Sequence, residues 1–369
     1  MTARTRVVVL FGGRSAEHDV SCISAESVLR CLDTERYHVV PLGVTHDGEW
    51  VRSESADALV HSRGAGASQP LVAAGSGIDR TALLTASADD ATEVDRVVVL
   101  PILHGPFGED GTVQGMLELA DVAYVGSGVL GSAVGMDKAI AKSVLATAGL
   151  PQAKWLARAA WDLAAPLAME AFSAVVADVL AFPVFVKPAN MGSSVGVTKA
   201  HDHAGLVGAL RVALSFDDWV VVEQTIVGRE IEFAVLGNEH PEVSVAGEIL
   251  PGKEFYDYED KYLGDGAQLV IPAALEPDVL AAGQHLALQT FRALRAEGMA
   301  RVDFFYDDRP DGMGWVVNEI NTIPGFTPIS MYPKLWEASG VPYPQLLDRL
   351  IELAIARHQR RAQRVGRAR

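Results

Sequence analysis

Residues 181–200 read AFPVFVKPANMGSSVGVTKA, two short apolar runs around a loop of small residues. The runs FPVFVKP (182–188) and GVTKA (196–200) have strand composition, and the Gly/Ser stretch between them reads as the turn of a hairpin. Lys187 stands at the end of the first run, just before Ala-Asn-Met-Gly-Ser-Ser-Val-Gly. Small residues let successive backbone N–H groups approach an anion, and the lysine adds the point charge that a phosphate needs. A phosphate cradle therefore accounts for this loop better than a plain turn. It is not a Walker loop, because GxxxxGK[ST] does not occur in the chain. Gly192-Ser193-Ser194-Val195-Gly196 also matches GxSxG, but that motif needs a helix after the turn, and VGVTKA is strand-like.

Working outward, a helix is expected from Asp137 through Ala148, a break at Gly149-Leu150-Pro151 and a second helix across 163–181. With the hairpin these make a small α+β lid. Before it, TRVVVLF (5–11), HVVPLGVT (38–45) and VDRVVVLPIL (94–103) are Val-rich, as strands of a parallel sheet covered on both faces tend to be. A helical periodicity follows Gly12-Gly13, so roughly the first 125 residues read as a doubly wound α/β unit. Residues 53–93 are rich in Ser, Ala, Gly and Asp and read as a mobile surface excursion. From about 220 the runs WVVVEQTI, EIEFAVLG, EVSVAGEI, MARVDFFY and GWVVNEI, with helices at 276–297 and 344–358, predict a larger, mostly antiparallel α+β unit.

The 369 residues carry a net charge of −16 and are 49% hydrophobic, which fits two or three soluble domains and argues against a nucleic-acid binder. The early apolar run VVVLF is too short for a signal-peptide core or a membrane span, so a cytoplasmic protein with no membrane partner is expected. Cys22 and Cys31 form no CxxC and read as buried, inert core residues. Six arginines in the last thirteen residues read as a solvated, frayed helix end. Gly126-Ser-Gly128-Val-Leu-Gly131 matches GxGxxG, yet no acid follows at the spacing a dinucleotide site needs.

Asp303 lies on ARVDFFY, while Glu319 and Asn321 stand two apart on GWVVNEIN and project from one strand face. Three oxygen donors suit Mg²⁺, which is held by carboxylates together with substrate phosphates. Arg301 shares the face of Asp303 and can stabilise developing negative charge. Residues 252–268, charged and rich in Tyr and Gly, read as an Ω-loop lid.

Taken together, FGGRSAEHDVS (11–21), LHGPFGEDGTVQG (103–115), MDK (136–138), VKPANMGSSVGV (186–197), EFYDYEDKYL (254–263), RVDFF (301–305) and NEINTIPGFTPISMYP (318–333) resemble the D-alanine–D-alanine ligases of the ATP-grasp superfamily. The resemblance implies three domains at about 1–136 (N-terminal, doubly wound), 137–223 (central lid) and 224–369 (C-terminal), with the ATP-grasp region near 142–353. It implies joining of two D-alanines through an acyl phosphate for peptidoglycan synthesis, with ATP and two Mg²⁺ or Mn²⁺ ions as cofactors, and a homodimer. The alternative is another ATP-grasp carboxylate–amine ligase.

Residue by residue, the resemblance gives Glu17 the ammonium of the first D-alanine and places His104 in the same pocket. Lys138 and Lys187 meet the α and β phosphates, Lys261 the γ-phosphate, and Ser193 and Ser194 belong to the phosphate loop. Glu223, Gln224, Thr225 and Ile226 hold adenine with backbone groups at a hinge and Glu230 holds the ribose, while Asn318 and Glu319 complete the nucleotide site. Arg301 and the Gly325 amide take the oxyanion, Ser330 and Met331 the carboxylate of the second D-alanine, and Asp303, Glu319 and Asn321 the metals. Tyr262 reaches Ser193, which contacts Glu17, closing the lid over the substrates.

Overall fold

The computed structural model describes residues 4–61, 70–78, 94–252 and 268–364. The first unit comprises β1 (Arg4–Gly12), α1 (His18–Cys31), β2 (Tyr37–Val44), β3 (Trp50–Ser53), α2 (Glu54–His61), β4 (Gly75–Gly77), β5 (Val94–Ile102), α3 (Thr112–Leu119) and β6 (Ala123–Tyr124). Its strands run β4-β3-β2-β1-β5-β6. β1 lies parallel to both β2 and β5, and towards the β4 edge β3 pairs antiparallel with β2 and β4 with β3. The alternation along β1 explains why every residue of its apolar run is buried. Val7, Val9 and Phe11 enter one core, whereas Val8 and Leu10 enter another on the opposite face. β3, α2 and β4 fall inside 53–93 or at its edge, so the expected surface excursion is in part ordered sheet and helix.

The chain continues through α4 (Val129–Met136) and α5 (Lys138–Thr147). A helix does open within the GxGxxG stretch, but Gly131 is there because a Cβ would sit 2.6 Å from the Arg295 carbonyl oxygen. The motif serves helix packing. Asp137 caps α5 by accepting from the Ile140 N–H at 2.9 Å.

The middle sheet contains β7 (Trp155–Ala159), β8 (Val184–Pro188), β9 (Thr198–Ala200) and β10 (Trp219–Gln224), in the order β7-β10-β8-β9 and antiparallel throughout. α6 (Ala168–Leu180) and α7 (His203–Ala213) cover it. The helix expected across 163–181 is a 3-10 turn at Ala160–Leu163 followed by α6. WVVVEQ is likewise corrected: β10 does not open the last sheet but lies inside the middle one, between β7 and β8.

The third sheet runs β13-β12-β11-β14-β15, from β11 (Arg229–Gly237), β12 (Glu242–Leu250), β13 (Gln268–Val270), β14 (Gly298–Asp307) and β15 (Gly314–Asn321). α8 (Pro277–Ala293) and the inner face of α5 share a core on one side of it. On the other side α9 (Met331–Ala338) and α10 (Tyr343–Ala362) join a core that runs on into the first sheet, where Leu346, Leu347, Leu350 and Ile351 belong to the same cluster as Val7, Val9 and Phe11.

α10 also corrects the expectation of a frayed, solvated arginine end at Arg357, Arg360 and Arg361, while Arg364 is exposed and Arg367 and Arg369 lie outside the described residues. Arg357 is buried, donates to the Tyr124 carbonyl at 2.7 Å and to that of Gly126, and stacks 4.2 Å above the Tyr124 ring. Arg360 and Arg361 pair with Glu297 at 2.8 and 2.7 Å. Cys22 is buried and its thiol is pushed up to about 12 by that burial; Cys31, expected to be buried, is half-exposed. Among the described residues no helix is long and apolar enough to cross a membrane.

Candidate active site

One cavity of about 830 Å³ lies where the three sheets meet. It is lined by Glu17, His104, Lys138, Lys187, Ser193, Ser194, Glu223, Gln224, Thr225, Ile226, Glu230, Arg301, Asp303, Asn318, Glu319, Asn321, Gly325, Ser330 and Met331. Lys261 and Tyr262, with most of the lid expected at 252–268, lie outside the described residues.

The first unit contributes the turn after β1. Glu17 sits at the N-cap of α1 and is buried, but its carboxylate does not cap the helix. It accepts instead a short hydrogen bond from the Ser193 hydroxyl of the Gly/Ser loop. A Cβ on Gly192 would stand 2.6 Å from Glu17 Oε2, so the loop can close over the carboxylate only because that residue is glycine. Gly192→Ala is therefore expected to lower kcat/KM about tenfold with an unchanged melting transition, the size of one displaced charged hydrogen bond. Steady-state kinetics beside a thermal melt check it.

Behind Glu17, His104 donates from Nδ1 to the Ile323 carbonyl at 3.0 Å, which leaves Nε2 to accept from Ser24 Oγ at 3.2 Å. Burial holds its imidazole below the usual range, so it is a neutral strut between the first unit and the 323–327 loop. Glu109, which the sequence analysis passed over, braces the same junction by accepting from the N–H of Gly105 at 2.8 Å and of Ile323 at 3.1 Å. Burial, and then the neighbouring Glu17, push its carboxyl up to about 8. A carboxyl raised in the fold binds its proton more tightly than in the unfolded chain. Its contribution is thus fully present below about pH 4.5 and lost as pH rises through about 8. The melting temperature of the wild type is expected to fall more steeply from pH 5 to 8 than that of Glu109→Gln, which differential scanning calorimetry reads directly.

The middle unit presents its cations from β8 and α5. Lys138 donates to the Met191 carbonyl at 2.5 Å, tying the start of α5 to the Gly/Ser loop. Lys187 reaches Glu223 Oε2 at 3.3 Å and Asn318 Oδ1 at 3.4 Å. Ser193 and Ser194 both adopt left-handed backbone conformations, and the chain passes from that turn into β9, so the helix a nucleophile elbow needs is absent from this turn.

The third unit supplies the acidic floor. β14 and β15 pair Asp303 with Glu319 and Arg301 with Asn321, but the register shifts after Asp303, so that Phe304 faces Val317. The extra residue is Asn318, and the bulge turns Asn318 and Glu319, neighbours in sequence, to the same cavity. Arg301 holds both oxygens of Asp303 at 2.7 Å and Glu232 at 2.9 Å. Those carboxylates keep its guanidinium well above the usual range despite burial. Asn321 donates its amide to Asp303 at 2.9 Å, leaving its carbonyl oxygen without a hydrogen bond among the described residues. Asp303, Glu319 and that oxygen form an all-oxygen donor set, which fits a hard divalent cation.

Sequence reasoning also missed Glu232 and Lys142. Glu232 stands two residues after Glu230 on β11, directly opposite Asp303, and the alternation of EIEF was its signal. Lys142 lies among Ala139 and Leu145 on the inner face of α5, a lysine at a core position of an amphipathic helix.

Comparison with known proteins places this geometry. Family models described as the N-terminus and the C-terminus of D-ala D-ala ligase match residues 6–127 and 144–352. The D-alanine–D-alanine ligase of Kineococcus radiotolerans is 48% identical over 374 aligned positions, covering 96% of this chain and 97% of that protein. The structure of the D-alanine-D-alanine ligase from Coxiella burnetii superposes with a TM-score of 0.79 at 36% identity, over 98% of this chain and 97% of that one. VanG D-Ala:D-Ser ligase from Enterococcus faecalis follows with 0.76 and 33%, over 95% of this chain and 99% of that one.

Proposed function

We propose, on the premise that this chain belongs to the D-alanine–D-alanine ligase family, that its cavity joins two D-alanine molecules as ATP is cleaved to ADP and phosphate. The carrying observation is the meeting of the Glu17 carboxylate, Lys138, Lys187 and the all-oxygen set of Asp303, Glu319 and Asn321 in one cavity. In this reading residues 1–136 and 224–369 form the walls of an ATP-grasp enzyme and 137–223 its lid.

The carboxylate of the first D-alanine attacks the γ-phosphorus, ADP departs, and an acyl phosphate remains. The amino group of the second D-alanine then attacks the acyl carbon, and phosphate leaves the tetrahedral intermediate. Glu17, fixed by Ser193, holds the ammonium of the first substrate, and His104 sets the depth of that pocket. Lys138 and Lys187 neutralise the α and β phosphates, with Lys261 on the γ-phosphate and Tyr262 against Ser193 once the lid closes. Glu223, Gln224, Thr225 and Ile226 seat adenine; Glu223 Oε1 is buried with no hydrogen-bond partner, an acceptor waiting for the exocyclic amine. Glu230 takes the ribose, and Ser330 with Met331 the second carboxylate.

Mg²⁺ or Mn²⁺, two per site, held by Asp303, Glu319 and Asn321 beside Asn318, would offset phosphate charge during transfer. Arg301 and the Gly325 amide donate to the oxyanion that develops at the acyl carbon. Gly325 has room for that role only as glycine, since a Cβ would meet Ser330 Oγ at 2.7 Å. Excluding water protects the acyl phosphate from hydrolysis. The dipeptide is a peptidoglycan precursor, and the reading places the enzyme in the cytoplasm as a homodimer.

Incubation with ATP, Mg²⁺ and D-alanine is expected to yield D-alanyl-D-alanine and phosphate in equal amounts, with L-alanine a poor substrate. ATP turnover with another acid or amine, and none with D-alanine, would overturn the assignment in favour of another carboxylate–amine ligase.

A further inference from the structure

Beneath the nucleotide end of the cavity lies a buried cation that the proposed chemistry leaves unused. Lys142 is 2% exposed, does not line the cavity, and has its Nζ 3.4 Å from Glu223 Oε2. Lys187 Nζ approaches the same oxygen at 3.3 Å while also reaching Asn318 at 3.4 Å. Two ammonium groups thus face one carboxylate oxygen in a dry setting, and the other oxygen, Oε1, has no partner. Burying a second cation there is unfavourable unless it has work to do, because an apolar side chain of similar volume would fill the space without the desolvation cost.

The two lysines differ in freedom. Lys187 stands at the cavity wall on contacts that are both long, so an entering polyphosphate can draw it away from Glu223. Lys142 is sealed between α5 and β10, where Ala139 packs on Val221, and cannot follow. Without a fixed counter-charge, Glu223 would lose its partner at the moment the nucleotide arrives, and would either take up a proton or pull Lys187 back. Either event would cost its unpaired oxygen the fixed position and the negative charge that make it a strong acceptor. Burial alone would raise the Glu223 carboxyl, yet Lys142, and after it Lys187, hold it below the usual range.

We infer that Lys142 is a positioning residue for nucleotide selection: it keeps Glu223 charged and in place while Lys187 turns to phosphate, so that Oε1 reads the exocyclic amine of a 6-aminopurine. This rests on the reading above that Glu223 faces the base. The effect should therefore separate nucleotides that carry that amine from those with a 6-oxo group, which present Oε1 with a second acceptor.

The test is equilibrium binding of ATP and ITP to the full-length protein, as wild type, K142M, E223Q and K142M/E223Q. Wild type is expected to favour ATP. K142M should weaken ATP about tenfold and leave ITP within about twofold, shrinking the preference, as the loss of one charge-assisted hydrogen bond would. In the E223Q background K142M should change neither affinity by more than about twofold, since its target is gone. Where K142M does not fold, K142Q replaces it, with the same loss expected. An unchanged ATP/ITP ratio in K142M or K142Q, or a further tenfold loss in the double variant, would overturn the role of Lys142. An unchanged ratio in E223Q would instead overturn the placement of the base, leaving the two failures distinguishable.

Discussion

Glu319→Gln is expected to lower kcat for dipeptide formation by about two orders of magnitude or more while leaving the melting transition in place. Glutamine keeps the shape of the side chain but withdraws one of two carboxylates from the proposed cation set, whose third member, Asn321, is neutral. Losing ~3 kcal/mol of charge compensation in the transition state corresponds to roughly a hundredfold in rate. The substitution spares the fold because Glu319 is only half-buried and lies on the bulged end of β15. Steady-state kinetics over a Mg²⁺ titration, with a thermal melt alongside, check both halves. A loss of less than about tenfold at saturating Mg²⁺ would remove Glu319 from the metal site.

Arg301→Met is expected to cost stability, by about 3–5 kcal/mol, the scale for breaking one side of a buried ion pair, besides the activity lost with the proposed oxyanion donor. The variant leaves Asp303 and Glu232 facing each other without the guanidinium that donates to Asp303 at 2.7 Å and pairs ionically with Glu232 at 2.9 Å. Lysine should not rescue it, because a single ammonium cannot hold both oxygens of Asp303 in a planar fork. Unpaired buried carboxylates bind protons more tightly than in the unfolded chain, so the deficit should shrink as pH falls toward 5. Urea denaturation of wild type, R301M and R301K at pH 5 and pH 8 reads the size, the failed rescue and the sign. A wild-type midpoint for R301M would mean that the Arg301–Asp303–Glu232 group contributes nothing to stability.

What could be read from the sequence follows from how local each interaction is. β1, β2 and β5 announced themselves because a strand covered on both faces must be apolar at every position, as Val7 through Phe11 are. The hairpin around Gly192–Gly196 was equally legible, since β8 and β9 are neighbours in the chain. β10 was misplaced because its partners β7 and β8 lie upstream, and nothing in WVVVEQ says which sheet will take it. The arginines of α10 were misread for the same reason: the Tyr124 and Gly126 carbonyls that bury Arg357 are more than two hundred residues away. Around the cavity, Asp303, Glu319 and Asn321 stood out by spacing, whereas Asn318 enters through a bulge that no periodicity encodes. Lys142 had a signal, a charge on an apolar helix face, that composition alone does not separate from a solvated lysine.

The core that α10 shares with the first unit bears on how the protein is made. Leu346, Leu347, Leu350 and Ile351 belong to one apolar cluster with Val7, Val9 and Phe11, the helix that carries them packs on α1, β5 and β6, and Arg36 and Tyr37 bond Asp348 and Glu352 across the same seam. A ribosome that has released the first sheet has therefore released only part of its interior. The faces of α1, β5 and β6 that α10 covers stay open until Leu346–Ile351 have been translated, so the leading unit is expected to finish folding only after they emerge. Chains truncated before Leu346 should leave those faces open to water and to other nascent chains. α10, far downstream, is what closes the unit that β1 opens.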